Sequence, residues 1–328
     1  MSENHSMQLL EKAQPVWVLV SVGLGLTLAQ GSSAGEVLGH WVQPLLALLL
    51  YLTFLGIPIQ QFRQLSCASR VVWASLCINF LWTPLLAWGL GALFLSDLPD
   101  LWVGLIMLMV TPCTDWYLVF TGLAGGDGVL ATALLPLNWV LQLLLLPVYL
   151  LLLVGDLVQL QPGELLTGLL WVLGLPFLAA LLTQFCGPYL REKLGWLGSP
   201  TLLSALQLLS LNLAIVCIFT AEGRLLMQNP ALFFRLLAPV LLFFVVNFWL
   251  AQRVGRWLDL TYPQLACLTC TTLARNSPLA LAVAAAAFPE RPLIVLALVV
   301  GPLIELPVLS WVVQMLLHLR RRGGWRQN

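Results

Sequence analysis

The sequence predicts an all-α integral membrane protein. Its ten transmembrane helices form two inverted five-helix repeats, with broken fourth and ninth spans. Three observations predict it. Of the 328 residues, 60% are hydrophobic and 9% charged, with a mean hydropathy of +0.94; a soluble surface needs roughly a quarter charged residues. Long apolar runs recur from end to end, the pattern of a polytopic helical protein. Two of those runs, about half a chain apart, are interrupted by proline among polar residues: Thr111-Pro112-Cys113-Thr114-Asp115-Trp116 and Thr271-Thr272-Leu273-Ala274-Arg275-Asn276-Ser277-Pro278.

Cutting at polar and Gly/Pro clusters places the spans at 16–31, 38–57, 70–95, 101–124 (broken), 128–154, 163–187, 201–220, 231–252, 265–288 (broken) and 291–317. Most are long enough to cross a core about 30 Å thick at about 1.5 Å per residue. Five spans fall in 1–158 and five in 159–328. An odd number per half gives the halves opposite orientations. Interrupted helices at matching positions of two inverted halves point to a transporter binding site.

Basic residues set the orientation. An even span count puts Lys12, Arg63, Arg70, Arg191, Lys193, Arg253, Arg256, Arg320, Arg321, Arg322 and Arg326 on one side with both termini. The other side holds Arg224, Arg235 and Arg291, with Glu36, Asp97, Asp100, Asp156, Glu164, Glu222 and Glu290. The bias makes both termini cytoplasmic, and the expected location is the plasma (inner) membrane. Tryptophans near span ends, such as Trp41, Trp102, Trp196 and Trp257, suit interfacial anchoring.

The seven cysteines are scattered singly, unlike a disulfide framework, and the three histidines lack metal-ligand spacing. No Walker loop, dinucleotide fingerprint, nucleophile elbow or HExxH is present, so neither a cofactor nor an enzymatic reaction is expected. The first apolar run reads as a span, since it lacks a basic leader and a clear cleavage site. The Arg320-Arg321-Arg322 run anchors topology, and no nucleic-acid partner is expected.

Chemistry should sit at the breaks. Proline stops a helix running through Pro112, and a carboxylate beside it in apolar surroundings is a functional candidate by default. Asp115 and Arg275 could neutralise each other at mid-membrane, either as a structural lock or as a pair with which solute or proton competes. Glu305, in Gly301-Pro302-Leu303-Ile304-Glu305-Leu306-Pro307, is a candidate proton carrier in a helix loosened by two prolines. Cys113 could ligate a soft, thiophilic solute, or serve as a small apolar residue. Cys267 and Cys270 could join it as a three-thiol site. Thr111, Thr114, Thr271, Thr272, Asn276 and Ser277 could bind an ion or solute, or cap the broken helices. Asn79, Asn138, Gln142, Asn212 and Asn247 read as hydrogen bonds between helices.

Val299 to Leu309, around Gly301-Pro302 and Glu305, resembles the last-span signature of the arsenite permeases of the arsenical-resistance type. The Cys113 segment, ending in Gly122-Leu123-Ala124-Gly125-Gly126-Asp127, resembles their fourth span. Arg275-Asn276-Ser277-Pro278-Leu279-Ala280-Leu281-Ala282 resembles the ninth-span crossover shared with bile acid:sodium symporters. The resemblance covers nearly the whole chain. It implies a core and a panel domain, fourth and ninth spans that cross, and roles for Cys113 and Glu305 in extruding As(III) against protons. Where sodium symporters carry glutamine this chain has Arg275, so proton coupling is expected over sodium. The expected function is proton-coupled efflux of arsenite or a related metalloid across a lipid bilayer. Cys113, Thr111, Thr114, Arg275, Asn276 and Ser277 would contact the solute, and Asp115 and Glu305 would exchange protons. The alternative is a transporter of a small organic anion clamped by Arg275.

Overall fold

The computed structural model describes residues 14–30, 34–56, 70–114, 116–158, 163, 170–185, 200–228 and 230–321. Among them every regular element is helical. The elements are α1 (Gln14–Leu28), α2 (Ala34–Gly39), α3 (Val42–Leu55), α4 (Arg70–Cys77), α5 (Thr83–Phe94), α6 (Pro99–Val110), α7 (Trp116–Leu123) and α8 (Gly128–Tyr149). They continue with α9 (Gly155–Val158), α10 (Leu175–Phe185), α11 (Pro200–Gln228), α12 (Ala231–Trp257), α13 (Tyr262–Leu273), α14 (Ser277–Ala287) and α15 (Pro292–Arg321). Wide turns with π-helical bonding join α4 to α5 at Ile78–Trp82 and α8 to α9 at Leu150–Val154, and another precedes α10 at Leu170–Gly174.

Among the described residues, six stretches are long and apolar enough to cross a bilayer: Val37–Leu55, Arg70–Phe94, Gly128–Val154, Leu202–Arg224, Phe234–Trp257 and Pro292–Arg321. Shorter apolar helices are Val16–Leu28, Pro99–Val110, Leu170–Phe185 and Ser277–Ala287. The expected span at 201–220 runs further, because α11 carries Arg224 to its end with the guanidinium on the carbonyls of Ala29 and Gln30. The ninth span starts earlier than 265, at Tyr262, where Thr261 and Gln264 form a capping box. Despite Pro302 and Pro307, α15 is one continuous helix of 30 residues. Of the sixth expected span, 163–187, only residue 163 and 170–185 are described.

The chain divides into two compact units. The first comprises 1–57, 161–233 and 278–303; the second comprises 58–160, 234–277 and 304–328. Each takes segments from both halves of the sequence. In the first, α11 packs along α1, α2 and α3, and α10 packs on α3. In the second, α6 packs on α5, while α13 packs on α4, α7 and α8.

Burial separates two kinds of helix in the second unit. Every residue of α6 from Leu101 to Val110 is buried, as is every residue of α13 from Leu265 to Leu273. A helix apolar all round belongs inside. By contrast Leu81, Leu85 and Trp88 are exposed at a helical spacing, as are Leu241, Val245 and Trp249 on α12. Such apolar stripes face lipid in a spanning protein, where water would make them costly.

Within the second unit, chain ends that alternate crossing would put on one side meet. Asp97 pairs with Arg235, and the Arg235 guanidinium holds the Asp97 carboxyl below its usual range. Both side chains are exposed, so the pair adds little stability. At the other end Arg320 lies over the Tyr262 ring, 5.2 Å from its centroid, and Tyr262 donates to the carbonyl of Ala124. Next in the chain, Gly125 turns with φ of 69°, a conformation glycine adopts without strain.

The α5–α6 contact is close enough to test. A Cβ on Gly91 would fall 1.9 Å from Cδ1 of Trp102, whose ring is buried. Gly91→Ala should displace that ring and cost about 1–3 kcal/mol. The result would appear as a lower Tm in a thermal-unfolding assay of the purified protein.

Candidate functional site

Both interrupted runs break where expected, and both breaks lie in the second unit. The first falls between Val110 and Trp116 and the second between Leu273 and Ser277. Released from their helices, the two backbones pair with each other. Pro112 and Arg275 form an isolated antiparallel bridge. Cys113 N–H donates to Ala274 O at 3.0 Å, and Asn276 N–H donates to Thr111 O at 2.7 Å. A buried backbone must satisfy its polar groups internally. Here each break supplies the partners the other lost.

The crossing brings four helix ends together. The C-termini of α6 and α13 present carbonyls and partial negative charge; the N-termini of α7 and α14 present N–H groups and partial positive charge. Arg275 serves both negative ends. Its Nη1 donates to Met109 O at 2.8 Å, its Nε to Leu273 O at 3.3 Å, and Nη2 to Thr272 O and to Asn79 Oδ1, the latter at 2.8 Å. The guanidinium also lies 5.2 Å from the centre of the Phe243 ring, and Arg275 is only 2% exposed. A tethered cation therefore neutralises the carbonyl ends of both broken helices.

Glu305 meets the crossing from α15. Its Oε1 accepts the Arg275 backbone N–H at 2.8 Å, and the side chain is buried. Among the described residues the guanidinium itself makes no ion pair. Asp115, expected opposite Arg275, lies outside the described residues.

At the positive ends, Cys113 Sγ accepts the Trp116 N–H at 3.3 Å, capping the start of α7. The side chain is 3% exposed. Thr114 Oγ1 follows it, and Ser277 Oγ opens α14; both hydroxyls are buried without a hydrogen-bond partner among the described residues. Buried polar atoms are normally paired, and these two share the exception with side chains away from the breaks, such as Thr83, Thr121 and Gln252. Asn276, next to Ser277 in the chain, is also buried.

The other polar candidates divide. Thr111 Oγ1 donates to Met107 O and Leu108 O, and Thr272 Oγ1 donates to Leu268 O, so both cap their own helices. Thr271 accepts from Asn138 Nδ2 on α8, and its carbonyl accepts from Asn79. Gln142 is buried without a partner among the described residues. The possible three-thiol site does not form. No group of three or more His, Cys, Asp and Glu is placed to hold a metal among the described residues. Cys267 and Cys270 lie toward Asp127 and Thr121, at the far end of α7.

The sequence marks Asn79 only as a hydrogen bond between helices; the structure gives it a place at the crossing. It sits in the Ile78–Trp82 turn, fully buried, and joins Ser75, Thr271 and Arg275. π-Helical turns often mark functional positions, but the partner across 196 residues is set by packing.

A family model for the sodium bile acid symporter family matches residues 43–229. The chain belongs to the sodium bile acid symporter family. Its members are membrane transporters, and this chain is a multi-pass transporter and no enzyme. Within the family it is similar to the arsenical-resistance protein Acr3 of Corynebacterium glutamicum, 28% identical over 332 residues, covering 94% of this chain and 89% of that one. It is also similar to the uncharacterized transporter slr0944 of Synechocystis, 24% identical, covering 94% of this chain and 89% of that one. The uncharacterized protein YbaS of Bacillus subtilis is 24% identical, covering 89% and 92%.

Proposed function

We propose that this family member exports arsenite or a related metalloid from the cytoplasm, coupled to protons. The observation that carries the reading is Cys113. It places a soft sulfur at the crossing of the two broken helices, capping a helix N-terminus and followed in the chain by the unpartnered hydroxyl of Thr114. Thiols suit thiophilic solutes, and an electron-rich sulfur is favoured by the positive end of α7. Similarity to an arsenical-resistance protein over nearly the whole chain supports the same solute class.

In this mechanism Cys113 ligates the solute while Thr114, Asn276 and Ser277 hydrogen-bond its hydroxyls. Glu305 carries the proton. Its carboxylate holds the backbone N–H of Arg275, so protonation weakens an acceptor that fixes the crossing itself. Asp115 is assigned a share of the proton exchange. The protein would adopt two inverted five-helix repeats, 1–158 and 159–328, in the plasma membrane, with both termini cytoplasmic. A core would rock against a panel.

The alternative is a small organic anion clamped by Arg275. It has less support, because the bonds of Arg275 occupy four of the five N–H donors a guanidinium has.

The test is As(III) uptake into everted membrane vesicles under an imposed proton gradient and then a sodium gradient. Proton-driven accumulation supports the reading; no flux under either gradient sinks it. Glu305→Gln should abolish proton-driven accumulation while As(III) exchange across the membrane persists. Loss of exchange together with accumulation would assign Glu305 to folding or solute binding instead.

A further inference from the structure

The first unit holds a cavity of about 670 Å³ that contains none of the crossing residues. That volume is within the range of small-molecule sites, about 300–1,000 Å³. It is lined by the end of α1, the α2–α3 junction, α11 and the turn between α14 and α15. Its polar side chains are His40, Gln43, Thr220, Glu222 and Arg224, and Ile218 and Val295 contribute to its apolar walls.

The charges in it are not equivalent. Arg224 donates from Nε to Ala29 O and from Nη2 to Gln30 O, so it caps the carbonyl end of α1. Glu222 stands two residues earlier, partly buried, and has no hydrogen bond or ion pair among the described residues. A carboxylate so placed in a concave site of mixed polar and apolar lining calls for a counter-charge. A bare metal ion is poorly served there, because no three-residue ligand group forms among the described residues. A cation with an apolar body fits both features, with its charge at Glu222 and its body on the apolar walls.

We propose that this cavity binds an amphipathic organic ammonium, with Glu222 as its counter-charge. His40 and Gln43 line the same cavity. With both termini cytoplasmic, as proposed above, this end of the unit lies on the face away from the cytoplasm, where either a soluble amine or a phosphatidylethanolamine headgroup presents that chemistry. The proposal is independent of the arsenite reading.

The experiment is isothermal titration of the full-length protein in maltoside micelles with benzyltrimethylammonium. Saturable one-to-one binding is expected, weakened about tenfold or more by Glu222→Gln. Val295→Trp, which fills the cavity and leaves the carboxylate in place, should also remove it. Size-exclusion profiles and Tm check that both variants are folded. As(III) flux should be unchanged in Glu222→Gln. Added phosphatidylethanolamine that competes with the probe identifies the headgroup as occupant; no competition identifies a soluble amine. Absence of saturable binding by the parent protein, or binding by Glu222→Gln or Val295→Trp as tight as the parent's, overturns the proposal.

Discussion

Cys113→Ser should reduce As(III) accumulation in everted vesicles to background and leave the protein folded. The two halves of that result have separate causes. Serine keeps a small side chain with an acceptor near the Trp116 N–H, so the start of α7 stays capped. The backbone bond from Cys113 N–H to Ala274 O does not involve the side chain at all. The stability loss should therefore stay near 1 kcal/mol or less, a shift of a few degrees in Tm. Transport is a different matter. A hydroxyl oxygen is a hard, poor ligand for a thiophilic centre, and no group of three or more His, Cys, Asp and Glu among the described residues is placed to take over from the thiol. Undiminished As(III) flux in folded Cys113→Ser would remove the central support for the metalloid reading.

Arg275→Gln should be the most destabilising substitution at the crossing. One guanidinium satisfies Met109 O, Thr272 O, Leu273 O and Asn79 Oδ1. Glutamine cannot reach both helix ends and carries no charge to oppose their dipoles. Leaving two or more buried acceptors unpaired costs about 1–3 kcal/mol each. The loss should appear as a fall in Tm of about 10 °C, at about 2–4 °C per kcal/mol. Arg275→Lys should recover part of it, since an ammonium keeps the charge but not the fork. The carbonyl and amide oxygens left behind are hard ligands, so sodium should restore some Tm to Arg275→Gln and none to the parent protein. Transport by the parent protein should be the same in sodium and potassium buffers. An Arg275→Gln protein of unchanged Tm would show that the guanidinium is not what holds the two ends together.

The sequence alone determined the class, the breaks and the candidate chemistry. An apolar chain with few charges has to be a membrane protein, because burial of apolar surface is not negotiable by local context. Pro112 and Pro278, set among polar residues, announced both interruptions because a missing donor and a ring clash are local effects. Cys113 and Glu305 stood out because polar or reactive groups are rare inside apolar runs. Only the tertiary structure decided what those groups touch. Nothing local says that Cys113 N–H meets Ala274 O, that Arg275 reaches Met109 and Asn79, or that Glu305 binds a backbone N–H and not a side chain. These partners lie far apart in the chain and are chosen by which broken ends need donors. It also separated Thr111 and Thr272, which cap their own helices, from Thr114 and Ser277, whose hydroxyls have no partner among the described residues. All four are hydroxyl residues beside a break, and only the packing around each side chain distinguishes them.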